Sequence, residues 1–199
     1  MTARDAATLD FYAAESQAYA GRSREAEHVR IETFVAALPA GGRVLELGCG
    51  GGHDSVALLA RGLDVVPTDG SPALAEQASA RLGRPVAVLL FEDIDAQEAF
   101  DGIWANACLL HVPRSALPGI ITRIHAALKP GGVFYASFKA GSEEGRDRFG
   151  RYYNYPTPKW LTEAYGAERW RTLDLVEEPG GGYDGEPTLW LHAFAVKRV

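Results

Sequence analysis

Cysteine is nearly absent from this 199-residue chain: there are two, Cys49 and Cys108, and neither has a second thiol nearby that would suggest a metal knuckle. Both read as free thiols packed in a reducing compartment. Long apolar runs are also missing, since charged residues interrupt every stretch well short of the ~20 residues a membrane helix needs. Positive charge is in deficit, with 20 Lys and Arg against 26 Asp and Glu and a net charge of -6. That balance argues against a general binder of nucleic-acid backbones, which gathers Lys and Arg onto one face. The first residues carry early acidic side chains and no continuous apolar core, so they fit neither a secretory signal nor a transit peptide. His28, His53, His125 and His192 lack a ligand spacing such as His-Glu-x-x-His, and no metal site is expected. The expectation is a soluble cytoplasmic protein, monomeric or weakly dimeric, with no membrane or nucleic-acid partner.

What is present is enough apolar sequence, 47% of the residues, to bury one core in a single domain. Leu9, Tyr12, Ala13 and Tyr19 recur at helical spacing over residues 5–19, and a second helix is predicted over 23–38, stopped by Pro39 and Gly41-Gly42. Strands and helices then alternate: strand 43–47, helix 54–61, strand 63–67, and a helix to residue 82 capped by Ser71 with Pro72 at its first position. Strands at 85–90 and 100–107 follow, then a helix over 114–128 ended by Lys129-Pro130-Gly131-Gly132, and a fifth strand at 133–138. Such alternation specifies a doubly wound α/β fold, a mostly parallel sheet with helices on both faces. Residues 139–158 read as a long loop over the site, 160–165 as a last helix, and 171–176 and 188–196 as two final strands joined by a glycine-rich turn at 179–185.

The first strand runs into Glu46-Leu47-Gly48-Cys49-Gly50-Gly51-Gly52. Gly48, Gly50, Gly51 and Gly52 can adopt positive φ and let backbone approach a ligand, and the following helix aims its free N–H groups there. A dinucleotide fingerprint needs a third glycine where His53 stands. Glu46, two positions ahead of the glycines, would repel a pyrophosphate and hold an ammonium group. S-adenosylmethionine carries an ammonium group and no phosphate.

These residues resemble the first motif of the class I S-adenosylmethionine-dependent methyltransferases, hydrophobic-x-Glu/Asp-x-Gly-x-Gly-x-Gly, which Val44 to Gly52 match throughout. Asp69, ending the second strand, is placed like the family's acidic residue that accepts both ribose hydroxyls. Phe91-Glu92-Asp93-Ile94 occupies the segment near the adenine amino group, and Asp93 is preferred there to Glu92. The stretch from Phe100 to Pro113 looks like the family's fourth strand and its loop, and Lys129 to Gly132 like the turn before the fifth. The likeness runs in order over residues 43–138. Leu109 to Pro113 and Arg151 to Pro156 are similar, less specifically, to small bacterial members of the tellurite-resistance type.

The resemblance implies a Rossmann-like seven-stranded sheet with its last strand antiparallel and an N-terminal helical cap. It divides the single domain into cap helices (1–40), cofactor core (41–138), lid (139–158) and C-terminal helix and strands (159–199). It implies a cofactor-binding set of Glu46, Gly48, Cys49, Gly50, Gly52, Asp69, Gly70, Ser71, Asp93, Ile94 and Asn106, with S-adenosylhomocysteine as the product left behind. Tyr12 and Tyr19 either fold over that cofactor or belong to the core. Asn106 and His111 flank the expected methyl position, where His111 acts as base or orienting group, or else merely hydrogen-bonds the turn at Pro113. Arg146, Arg151, Tyr152, Tyr153 and Tyr155 form a cationic, aromatic cluster that can receive an anionic or aromatic small-molecule acceptor. The other readings are a nicotinamide-dependent oxidoreductase and an S-adenosylmethionine-binding module without turnover.

Overall fold

The computed structural model describes residues 2–22, 28–166, 169–183 and 185–199. A seven-stranded sheet forms its centre, made of β1 (Arg43–Glu46), β2 (Asp64–Asp69), β3 (Ala87–Val88), β4 (Phe100–Ala105), β5 (Leu128–Lys139), β8 (Trp170–Gly181) and β9 (Pro187–Lys197) in the order β3-β2-β1-β4-β5-β9-β8. β1 to β5 pair in parallel, and β9 runs antiparallel to both β5 and β8. The expected doubly wound sheet with an antiparallel last strand is therefore present. Among the described residues, no helix is long and apolar enough to cross a membrane.

The strands alternate between two apolar layers because successive side chains point to opposite faces. On one face Leu45, Ile103, Phe134 and Ala136 meet Ile120, Ile121 and Ile124 of α6 (Leu117–Ala127) and Leu161 and Tyr165 of α7 (Pro158–Tyr165). On the other, Val44, Trp104, Val133 and Tyr135 meet Ile31 and Phe34 of α3 (His28–Ala36) and Leu58 of α4 (His53–Leu59). Gly102 admits α3 to this second layer: a Cβ there would lie 2.7 Å from Phe34 and 3.0 Å from Leu38. Trp104, fully buried, stacks on Tyr135 with ring centroids 4.0 Å apart and donates its indole N–H to Asp54 at 3.0 Å.

Local chemistry sets the helix ends. Ser71 caps α5 (Pro72–Leu82) by accepting from the Leu74 amide, with Pro72 at the first turn and Gly83 left-handed at the far end. Thr157, Pro158 and Gly166 do the same for α7.

Several boundaries differ from expectation. The single helix expected over 5–19 is two, α1 (Ala6–Ala14) and α2 (Ser16–Gly21), broken so that α2 can turn its end onto the glycine loop. Of the helix expected over 23–38, residues 23–27 lie outside the described residues and α3 covers the middle. β3 keeps only two residues, both exposed, at the sheet edge. Lys129 to Gly132, expected to end a helix, form an excursion within β5: the pairing with β4 jumps from Phe100↔Leu128 to Gly102↔Val133. Pro179 to Gly181, expected in a turn, extend β8, an edge strand where proline's missing N–H costs no ladder bond. The loop expected over 139–158 contains a short hairpin, β6 (Gly145–Arg146) with β7 (Tyr152–Tyr153).

Trp104→Ala should lower unfolding free energy by roughly 3–5 kcal/mol, through lost burial and the cavity left beside Tyr135. Urea titration measures this, and an unchanged midpoint would contradict the two-layer account.

Candidate active site

The carboxyl ends of β1, β2 and β4 meet at one edge of the sheet, the usual place for a ligand in this topology. There the glycine turn is clamped by the Leu47 amide to the Trp104 carbonyl (2.8 Å) and the Cys49 amide to the Thr68 carbonyl (2.9 Å). Gly48, Gly50 and Gly52 adopt positive φ, whereas Gly51, expected to do so, does not. Gly51 is required for another reason: a Cβ would lie 2.9 Å from the Cα of Ala20, so α2 seats directly on it. A Cβ on Gly48 would likewise strike Cys108 at 2.4 Å. Cys49 and Cys108 are both buried, and burial pushes both thiols up, so they pack as neutral groups.

Asp69 joins this turn to β2. One carboxylate oxygen accepts the Gly50 N–H and the other the Ser71 N–H, each at 2.8 Å. Burial raises its pKa while those two N–H groups oppose the rise. Each oxygen keeps a lone pair for a further donor. Glu46 is buried under the turn, where it accepts the Ser55 hydroxyl, and it lines neither of the cavities described below.

A first cavity, about 90 Å³, lies over the turn. Its floor is Gly48, Gly50, Asp69 and Gly70, and one side is an apolar slot of Leu74, Leu89 and Leu90. Its roof is Asp5, Thr8, Leu9, Tyr12 and Tyr19 from α1, α2 and the residues just before. The 3-10 turn after β3 directs Phe91 and Glu92 inward, leaving the expected Asp93 exposed and Ile94 in the core. Glu92, passed over in the sequence, accepts the Ala3 amide at 3.1 Å.

A second, larger cavity of about 280 Å³ adjoins the first and shares with it Tyr12, Tyr19, Ala107 and His111. Those four residues form the partition. Ala107 is held at φ 53 with its amide donating to Ser137 at 2.8 Å, a strained conformation for a residue with a Cβ. His111 lies between Tyr152 and Tyr12. The Tyr152 carbonyl can only accept, so Nδ1 carries the proton at 2.6 Å and Nε2 accepts the Tyr12 hydroxyl at 2.9 Å. Burial, with help from the Arg151 and Lys139 charges, lowers the imidazole to about 4, and the ring is neutral at physiological pH. The turn at Pro113 is not its partner.

The remaining expected site residues divide. Asn106 faces the second cavity and spends its amide on Asp54 (2.8 Å) and its carbonyl on Ser137 (2.7 Å). Arg151 and Tyr153 line the same cavity. Arg146 instead pairs with Asp5 at the surface at 2.7 Å, because β6 turns it outward. Tyr152 donates its hydroxyl to Glu144, and only its carbonyl reaches His111. Tyr155 stacks behind Tyr153 at 5.2 Å and does not line the cavity. Sequence reading missed Lys139, Tyr183, Trp190 and His192, which also line it. Lys139 did carry a signal: a charged residue closing an apolar strand at the ligand end of the sheet.

Residues 20–168 match the model of a family described as a methyltransferase domain. A trans-aconitate 2-methyltransferase of Variovorax paradoxus is 38% identical over 152 residues, which make up 73% of this chain and 56% of that protein. A ubiquinone biosynthesis O-methyltransferase of Xanthomonas axonopodis pv. citri is 38% identical over 117 residues, 55% of this chain and 48% of the other. The chain spans about half the length of the curated relatives it matches. Among solved structures, a Burkholderia thailandensis 1,6-didemethyltoxoflavin-N1-methyltransferase with bound 1,6-didemethyltoxoflavin and S-adenosylhomocysteine shares the fold with a TM-score of 0.71. It is 24% identical, and the match covers 98% of this chain and 88% of that one.

His111 makes stability depend on pH. Its pKa is lowered from 6.5 to about 4 in the fold, so as pH falls through that window the unfolded chain takes up a proton that the folded one refuses. The stability that neutral His111 contributes is whole above pH 6.5 and should be lost by pH 4, roughly 2–3 kcal/mol. Asp69, raised by burial, acts in the opposite direction, so the readout is wild type minus His111→Asn in denaturant titrations from pH 7 to 4. A difference that does not change with pH would contradict the buried neutral ring.

Proposed function

The chain belongs to the methyltransferase-domain family, and from that membership we propose that it transfers the methyl group of S-adenosylmethionine to a small-molecule acceptor by in-line displacement. The observation that carries this reading is the first cavity, where Asp69 and the glycine turn form the floor beside an apolar slot. Of the carboxylates that face it, Asp5 is paired with Arg146 and Glu92 lies 3.7 Å from Arg4, so the charge on the floor is that of Asp69, a setting that opposes a pyrophosphate and suits a sulfonium. The lone pairs left on Asp69 fit two ribose hydroxyls, and the Leu74, Leu89 and Leu90 slot fits the flat face of an adenine.

When bound, S-adenosylmethionine supplies a methyl carbon already activated by the positive sulfur. The chain's own residues then have three tasks. Asp69 and the glycine turn fix the nucleoside end, and the partition of Tyr12, Ala107 and His111 sets the line of approach from the second cavity. α1 and the β6–β7 hairpin exclude water, joined by the Tyr152 amide to Thr8 (2.9 Å) and by Arg146 to Asp5. Neutral His111 orients an acceptor as a hydrogen-bonding group, and its low basicity suits an acceptor whose lone pair is already available.

Trans-aconitate and 1,6-didemethyltoxoflavin, the compounds in the names of one relative and one structural neighbour, are small molecules, in keeping with a small acceptor here. Likeness to the tellurite-resistance type is supported only by its two segments meeting in space: Asn154 bonds the Leu109, Leu110 and Val112 carbonyls. A monomer or weak dimer in the cytoplasm, with cap, core, lid and C-terminal parts in one domain, completes the proposal.

S-adenosylhomocysteine should raise the melting temperature, and NADH should not; the reverse result would favour an oxidoreductase. Asp69→Ala should weaken S-adenosylhomocysteine binding by about 1–3 kcal/mol in calorimetry, the cost of hydrogen bonds to a charged group. Equal affinity in the two proteins would remove Asp69 from the ribose. Cofactor binding without turnover over a broad panel of thiols, phenols, amines and acids would make the protein a binding module.

A further inference from the structure

The second cavity holds an imidazole with a nitrogen to spare. His192 stands on β9, 6% exposed, and lines this space. Its Nδ1 shares a hydrogen bond of 2.9 Å with the Tyr135 hydroxyl, and the two rings stack at 20°. Nε2 has no partner among the described residues, and it is not sealed in the core. His111, the other imidazole at the partition, is engaged at both nitrogens, by the Tyr152 carbonyl and the Tyr12 hydroxyl. A ligand bonds His111 by displacing Tyr12, and bonds His192 without breaking a contact. Strand register sets the distance to the chemistry. His192 lies opposite Ser137 in the antiparallel pair of β5 and β9, so the two side chains share one face of the sheet. Ser137 in turn accepts the Ala107 amide at 2.8 Å and donates to Asn106 at 2.7 Å. Directly opposed side chains start about 5 Å apart, close to the span of one aromatic ring, so His192 stands a ring's length from the residue that holds the partition. Tyr12, Tyr19, Tyr153, Tyr183 and Trp190 supply other surfaces of the cavity, and these suit a flat partner. Burial and the Arg30 charge lower the His192 imidazole to about 4, against the pull of Glu178, so the ring is neutral at physiological pH. A neutral ring tied at one nitrogen offers a ligand one hydrogen-bonding position at a fixed place.

We infer that His192 selects the acceptor: Nδ1 donates to the Tyr135 oxygen, and Nε2 accepts an uncharged O–H or N–H from a small flat molecule whose attacking atom lies at the partition of Ala107 and His111. This rests on the methyl-transfer reading above and names the acceptor class for the same site, a single ring with a nucleophilic atom on one side and a hydrogen-bond donor on the other. The attacking atom and the donor are different groups. In the step, a lone pair of the attacking atom forms the bond to the methyl carbon as the carbon–sulfur bond breaks, and the pair from that bond stays on the cofactor's sulfur. The donor on His192 keeps its proton throughout. Where the attacking atom is an anion such as a thiolate, no proton moves. Where it is a neutral nitrogen, its proton leaves to water after transfer. The cavity, about 280 Å³ and at the small end for ligand sites, accommodates such a ring.

The test supplies the full chain with S-adenosylmethionine and compares meta- and para-mercaptophenol with the corresponding fluorothiophenols and methoxythiophenols. All attack through a thiolate sulfur, and only the mercaptophenols carry a ring O–H. The fluoro compounds match them in size, and the methoxy compounds keep the oxygen as an acceptor. S-adenosylhomocysteine formation gives kcat and KM, and calorimetry on the S-adenosylhomocysteine-loaded protein gives binding. The better mercaptophenol should bind about 3- to 10-fold more tightly than its fluoro and methoxy partners, the net worth of one neutral hydrogen bond. His192→Phe should remove that preference through KM rather than kcat. His192→Gln, whose amide oxygen can stand where Nε2 does, should restore part of it. In the loaded wild type, the nitrogen NMR resonance of His192 Nε2 should move on adding the mercaptophenol and not on adding its fluoro partner, a reading that needs no variant. Affinity for S-adenosylhomocysteine reports whether each variant is folded and separates the two readings. If the wild type does not bind it, the methyl-transfer reading fails. If the wild type binds it but shows no preference for the mercaptophenols, including by taking none of the probes, the His192 assignment alone is overturned. A folded His192→Phe that keeps the preference, or an Nε2 resonance that stays in place, overturns it equally.

Discussion

The guanidinium of Arg151 is the interaction on which the arrangement over the sheet depends. Its side chain is 1% exposed, so its charge and its N–H groups must be met by protein. Asp147 takes two of the N–H groups and the Tyr12 hydroxyl a third. The faces of the plane go to Phe11 and Tyr12 from α1, Phe149 and Tyr153 from the β6–β7 hairpin, and Tyr183 from the turn between β8 and β9. Three segments that are distant in sequence thereby share one buried cation. Because the cost of leaving that cation unmet is several kcal/mol, the three segments are held as a unit above the sheet edge.

That unit also creates the two cavities and their opposite electrostatics. Tyr12 receives one hydrogen bond from Arg151 and gives one to His111, so the wall between the cavities is fixed by the same cation that fastens the β6–β7 hairpin to α1. On one side lie Asp5, Asp69 and Glu92, on the other Arg22, Lys139 and Arg151. Asp5 and Arg151 are each matched by a partner of opposite charge, Arg146 and Asp147. The partition between the two linings carries no charge. His111 belongs to this scheme as an uncharged residue, and the neighbouring cations help to keep it so.

Contacts of the β6–β7 hairpin with the N-terminal residues, such as Arg146 with Asp5 and the Tyr152 amide with Thr8, had no trace in local periodicity. The two aromatic residues read from helical spacing, Tyr12 and Tyr19, do reach both cavities, yet the helix that carries them is broken between them. The choice of Asp93 over Glu92 failed for a comparable reason. A single 3-10 turn decides which of two adjacent carboxylates points inward, and no short-range signal separates them. Of the residues read as a cluster at 146–155, Arg151 and Tyr153 face the second cavity while Arg146 and the Tyr152 hydroxyl face out, because β6 and β7 alternate.

The sequence by itself determined the parallel sheet, its order of helices and strands, the glycine turn and the acidic residue ending β2. These depend on period-2 and period-3.6 burial, on capping residues and on positive φ, all of which act within a few residues. Only the tertiary structure decided that Gly51 makes room for α2, that His111 is neutral and bonded to Tyr12 and Tyr152, and that Lys139 closes an apolar strand inside a cavity. Each of these depends on what packs opposite a residue from elsewhere in the chain. Burial, partner and field at a site are properties of the assembled layers, and no local pattern encodes them.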